Sequence, residues 1–222
     1  MEIGRETVDL DFLLTQMKTK KKEIERVFKE ICSISLEDGF LYHYEKIDSL
    51  EQPHMRYPGF RTSLAVSFGK MKDKIHVDAG IGDVVKPEIR KFGLFEYRGE
   101  PIFEKSLSLL VYPIETIFSE KLETILSKGA ANSRMKDYHD VYLLIREKML
   151  RLETLKDTVL RTFGHRGRAI QKIEFDEQEL KALQKLWTAH LKGLGNVAFE
   201  LDLPPQMAAA IAEINSCIEG IL

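Results

Sequence analysis

Glu6-Thr7-Val8-Asp9-Leu10-Asp11-Phe12-Leu13 is the stretch on which the fold turns. In an extended strand side chains alternate, so Val8, Leu10 and Phe12 share one face and Asp9 and Asp11 the other. Aspartate is depleted in strands, and two on one face, one apolar residue apart, call for a reason. Spaced about 6.5–7 Å along a strand, such carboxylates can share divalent cations, whose charge cancels their repulsion. The same pattern suits the solvent side of an edge strand, where charge discourages pairing. The stretch alone leaves both open.

The whole chain sets the bounds. Its 222 residues suffice for one large domain or two small ones. A hydrophobic content of 44% and a charged content of 31% describe an ordinary globular protein. A formal charge of −2 excludes a global pull toward nucleic acid or membrane, so any basic surface is local. Cys32 and Cys217, far apart, point to neither a zinc site nor a disulfide framework. With no apolar run of spanning length and no signal peptide, the expected location is cytoplasmic and no membrane partner is expected.

Downstream of the acidic strand, Thr19 caps a helix running to about Ile31, with Ile24, Val27, Phe28 and Ile31 at helical spacing. Lys20, Lys21 and Lys22 crowd the end of that helix where positive charge is disfavoured. They form either a solvated cluster or a basic lip for a phosphate-bearing ligand. Alternation then predicts strands over 40–44, 61–68 and 74–78, with a loop over 52–59. In the third of these, Ile75 and Val77 oppose His76 and Asp78, and Ala79-Gly80-Ile81-Gly82-Asp83 follows, permissive enough for backbone to approach a ligand. If this strand neighbours the first, Asp9, Asp11 and Asp78 converge on one rim. A hairpin over 95–102 and an apolar strand over 107–112 come next.

Pro113 then opens a helix over 114–126. Ile114, Ile117, Phe118, Leu122 and Ile125 form its apolar stripe, and Lys121 falls inside that stripe. A lysine so placed either snorkels to solvent or meets a negative partner in a partly buried site. The second is favoured, because an acidic rim and a ligand phosphate both need compensation. Gly129 stops this helix. The next carries Tyr138, Val141, Tyr142 and Ile145 on its core face, with Arg134, Lys136, Asp137 and Asp140 in its first turns. Acids there also favour the helix dipole. From Arg151 onward the chain is helical over 152–163, 177–191 and 204–222, the last two helices pairing as a hairpin. Arg161, His165, Arg166 and Arg168 make a basic patch whose simplest account is a solvated loop.

Four motifs in order resemble one family. Arg5-Glu6-Thr7-Val8-Asp9-Leu10-Asp11-Phe12 resembles the R-x-T-x-D-L-D-F strand of the AbiEii/AbiGii nucleotidyltransferase-like toxins. Ile75-His76-Val77-Asp78 is similar to their second acidic strand, Ser119-Glu120-Lys121-Leu122-Glu123-Thr124 to their E-K-L helix, and Arg134 to Val141 to their R-x-K-D-x-Y-D motif. The resemblance covers roughly Arg5 to Arg168. It implies an α+β fold: a nucleotidyltransferase-like mixed-sheet core of the DNA-polymerase-β type over residues 1–112, then a helical C-terminal region over 113–222 that completes the active-site cleft. It further implies toxins of toxin–antitoxin or abortive-infection systems that use Mg²⁺ or Mn²⁺ to move a nucleotide from an NTP onto an RNA acceptor, such as tRNA, or onto a protein, with a cognate antitoxin. On this basis Asp9, Asp11 and Asp78 are the expected metal ligands and catalytic carboxylates. Lys121 offsets triphosphate charge, with Arg134 and Lys136 as further nucleotide contacts, and Asp137 or Asp140 positions Lys121 or the acceptor. The family's Gly-Gly/Ser-Thr turn, which grips the triphosphate through backbone N–H groups, is not supplied by Gly4. That departure predicts an impaired relative as the alternative, one that binds nucleotide, RNA or a partner protein without turnover.

Overall fold

The acidic stretch forms strand β1 (Asp9–Leu14). In this computed structural model the described residues are 9–14, 20–50, 59–81, 85–92, 96–98, 100–101 and 106–222. Glu6 to Val8, the expected cap Thr19, most of the 52–59 loop, Gly82-Asp83 and parts of the 95–102 hairpin lie outside them.

Helix α1 (Lys21–Cys32) is followed by strands β2 (Phe40–Leu50), β3 (Gly59–Phe68) and β4 (Met71–Ile81). They form one sheet in the order β1-β4-β3-β2. Strands β2, β3 and β4 make an antiparallel meander, and β1 lies parallel to β4. The second strand is longer than alternation predicts. A register shift between Tyr44 and Lys46 breaks the period of two midway, as a bulge does.

Helix α1 packs over β2 and β3. Its Ile24 meets Ile47 and Phe60 in a small core, joined by Leu14, Phe28 and Tyr44. Phe60 and Arg61 are consecutive, so Arg61 and its neighbours in register occupy the opposite face. The apolar side of β1 is covered unevenly: Leu14 joins the cluster under α1, whereas Phe12 is 53% exposed, β1 being an edge strand among the described residues.

The chain divides into two compact units, Glu6–Val84 and a second spanning Val85–Leu222. In the second, β5 (Glu88–Phe92) pairs antiparallel with β8 (Leu107–Val111), and β6 (Glu96–Tyr97) with β7 (Glu100–Pro101). Among the described residues six α-helices follow: α2 (Ile114–Lys128), α3 (Met135–Arg146), α4 (Leu152–His165), α5 (Glu177–Leu194), α6 (Val197–Glu200) and α7 (Met207–Ile221), with a short 3-10 turn at Gly129–Ala131. Their core joins Phe118 and Leu122 of α2, Tyr138 and Val141 of α3, Phe163 of α4, Trp187 of α5 and Ile214 of α7. Trp187 is fully buried and its indole N–H donates to the Pro204 carbonyl at 2.8 Å.

Helix α2 is less one-sided than its stripe predicts. Ile117 is exposed, whereas Glu115, Ser119 and Glu123 are buried. The helix packs against both α3 and α4, so positions off the apolar stripe are covered as well.

Candidate active site

Within the sheet unit, strand pairing sets the candidate residues. The parallel β1–β4 register places Asp11 beside Asp78 and Asp9 beside His76. Strand β3 adds Arg61 opposite Asp78 and Ser63 opposite His76. Neighbouring strands run about 4.8 Å apart. Asp11, Asp78 and Arg61 therefore form a row across three strands, on the face away from α1.

Two carboxylates side by side on a sheet repel. Arg61 answers that repulsion directly. Its Nε and Nη2 donate to Oδ1 and Oδ2 of Asp78 at 2.7 and 2.6 Å, the two-point fork that matches guanidinium to carboxylate. Ser63 Oγ lies 3.2 Å from His76 Nδ1 in the next row. Arg61 carries no signal in the sequence. An arginine in a polar strand position becomes informative only once β3 is registered against β4.

The carboxylates suit a hard divalent cation in donor type, since Mg²⁺ and Mn²⁺ prefer oxygen ligands. Asp11 is exposed and stands next to Asp78. Both Asp78 oxygens are engaged by Arg61 but keep lone pairs outside the fork. Among the described side chains no three His, Cys, Asp or Glu groups gather at metal-holding distance; the side chain of Asp9, the expected third ligand, is not among them. In donor type, Asp11 and Asp78 are the described residues of this face that would hold such an ion.

The helical unit holds a second constellation. Lys121 Nζ lies 3.2 Å from Asp137 Oδ1 and 2.9 Å from Asp140 Oδ2. Both carboxylates are buried, and the Lys121 side chain is only 19% exposed. Partners, rather than snorkelling, explain the lysine in the stripe. Asp137 and Asp140 are three residues apart on α3 and so share a face; both touch Lys121. Arg134 Nε approaches Asp137 Oδ2 at 2.9 Å. Lys136, in contrast, is exposed.

Two further buried acids on α2 carry no sequence signal of their own. Glu123 is gripped by Arg166 Nη1 at 2.5 Å and Arg168 Nε at 2.9 Å. The basic patch is therefore not simply a solvated loop: two of its members neutralise a buried carboxylate. Glu115, 1% exposed at its side chain, accepts from the Arg151 side chain at 2.9 and 3.0 Å and from the Arg151 backbone N–H at 2.8 Å. The Arg151 guanidinium, outweighing burial, holds the Glu115 carboxyl down to about 2. Burial pushes the Tyr138 hydroxyl up, and the nearby Asp137 charge adds to it. Among the described residues that buried hydroxyl has no hydrogen-bond partner.

A family model described as "Nucleotidyl transferase AbiEii toxin, Type IV TA system" matches residues 1–211 of the 222. The chain belongs to this toxin family, whose members imply a cognate antitoxin. No curated protein matches the chain significantly. Among the described residues no helix is long and apolar enough to cross a membrane.

Proposed function

We propose that this chain transfers a nucleoside monophosphate from an NTP to the hydroxyl of an RNA acceptor, of which tRNA is the first to test, with Mg²⁺ or Mn²⁺ bound at Asp9, Asp11 and Asp78. The adjacent, in-register placement of Asp11 and Asp78 on one sheet face is the observation that supports it. A bound cation supplies Lewis-acid charge to the phosphates and the attacking oxygen.

The protein's own groups bind and orient. Asp11 and Asp78 present oxygen donors from neighbouring strands, and Arg61 fixes the plane of the Asp78 carboxylate. Lys121 is a point cation whose ammonium has three donors. Asp137 and Asp140 hold it in place within the helical unit. In the transfer the acceptor oxygen bonds to the α-phosphorus, the bond from that phosphorus to the bridging oxygen breaks, and pyrophosphate leaves with its electron pair. The hydroxyl proton passes to a carboxylate of the sheet site or to solvent.

Purified full chain, total tRNA, Mg²⁺ and each α-labelled NTP test this directly, beside Asp11→Asn and Lys121→Met. Label on RNA is expected with wild type, falling at least a hundredfold in both variants. No transfer to RNA, or transfer that survives Asp11→Asn, rejects the proposal. Toxicity that persists in Asp11→Asn would instead favour binding without turnover.

A further inference from the structure

Strand β2 is an edge that the described residues leave open. In the sheet order β1-β4-β3-β2 it pairs with β3 on one side only, and an edge of this kind presents a row of backbone N–H and C=O groups to a further strand. It runs over eleven residues, Phe40–Leu50, about twice the common strand length of 5–6 residues. No proline interrupts its donors. At its start Phe40 and Leu41 are 44% and 61% exposed.

The bulge decides which further strand suits this edge. Tyr42 and Tyr44 stand opposite Val66 and Leu64, and Ile47 and Ser49 opposite Thr62 and Phe60. All four therefore share the α1 side of the sheet, where Tyr44, Ile47 and Phe60 cluster, although Tyr44 and Ile47 are an odd number of positions apart. Leu41, His43, Lys46, Asp48 and Leu50 take the other side. Consider two copies of β2 running antiparallel about a two-fold axis that passes between Glu45 and Lys46. Tyr44 then opposes the second copy's Ile47, and Tyr42 its Ser49, on the α1 side. On the other side His43 opposes Asp48 and Leu41 opposes Leu50, while at the centre Glu45 opposes Lys46. A slip of one residue sets opposite faces against each other. A slip of two keeps the faces but brings Lys46 against His43 in one direction and Glu45 against Asp48 in the other, which opposes acid to acid. The strand is thus complementary to itself in one register.

We propose that the outer edge of β2 is the interface of a homodimer, in which two copies join their four-stranded sheets by antiparallel β2 pairing centred between Glu45 and Lys46. Main-chain hydrogen bonds supply the affinity and the opposed side chains fix the register. Within one copy Glu45 pairs with Lys74 at 2.7 Å and Lys46 with Asp48 at 2.6 Å. Exposed pairs of this kind contribute little, so trading them for pairs between copies costs little.

Sedimentation equilibrium of the full chain tests this in wild type, Glu45→Lys, Lys46→Glu, an equimolar mixture of those two variants, and the double variant that carries both changes in one chain. Wild type is expected as a dimer in equilibrium with its 25.6 kDa monomer. Alone, Glu45→Lys sets lysine against lysine and Lys46→Glu sets glutamate against glutamate, each twice by symmetry. Each is therefore expected to weaken dimerisation about tenfold. In the mixture, and in the double variant, opposite charges face each other again, and the dimer returns to within about threefold of wild type. Both positions are exposed, so the substitutions leave the core of the sheet unit untouched. A wild type that stays monomeric up to about 100 µM overturns the proposal. So does a dimer that either single variant leaves as tight as before, or one that neither the mixture nor the double variant restores.

Discussion

Glu115 shows at the level of one residue how a buried charge couples to solution conditions. A carboxyl ordinarily near 4.5 is held at about 2 by Arg151. The depressed value means the group contributes stability above its unfolded pKa and loses it as pH falls through the folded one. The window is therefore about 4.5 down to about 2, and the contribution above it is on the order of 3 kcal/mol. Arg151→Ala should destabilise the helical unit most near pH 7, with the deficit shrinking across that window. The chain's single tryptophan, Trp187, lies in that core and reports unfolding in urea. A deficit that stays flat from pH 5 to pH 2 contradicts the linkage. Lys121→Met is expected to be costlier than a surface change, about 3 kcal/mol, because it leaves two buried carboxylates without their ammonium. Adding Asp140→Asn should recover part of that loss; no recovery would mean the pair is not coupled.

At the scale of the elements, the end of α2 is set by a glycine. Gly129 stands at its C-terminus with φ 52° and ψ −137°, a conformation that side chains with a Cβ rarely adopt. A Cβ added there would meet no atom of the described residues within 4 Å, so the effect of substitution falls on the backbone. Gly129→Ala should lower stability by about 1–2 kcal/mol, read as a shift of the Trp187 urea midpoint. An unchanged midpoint would show that the turn relaxes without strain. The helix start at α5 works differently: Asp176 accepts from the Glu179 N–H at 2.8 Å, and the Glu179 side chain accepts in return from Asp176 N–H at 3.0 Å. This reciprocal box is visible in the order of residues, whereas the positive φ of Gly129 is only suggested by it.

Across the whole molecule the two units differ in how much apolar surface each buries. The cluster beneath α1 rests on Ile24, Ile47 and Phe60, while the helical core draws large side chains from α2, α3, α4, α5 and α7. Stability should be distributed accordingly. Amides of β2, β3 and β4 are expected to exchange hydrogen through openings of lower free energy than those of α2 and α3. Equal protection in both units would show that the chain unfolds as a single cooperative body.

The order of residues by itself determined the acidic strand, the second carboxylate strand, the lysine within an apolar stripe and most helix bounds. Each of these rests on a period of two or of 3.6 that repeats locally. It missed β5, whose Glu88-Ile89-Arg90-Lys91-Phe92 run has too little apolar alternation to register, and it missed the second half of β2, where the bulge interrupts the period. Only the tertiary structure decided that Asp11 stands beside Asp78, that Arg61 grips that carboxylate, and that Asp137 and Asp140 both clasp Lys121. It also turned Arg166 and Arg168 from a loop patch into the counter-ions of Glu123. Such pairings join residues far apart along the chain, and strand register and helix packing, which local spacing does not encode, fix which charges meet.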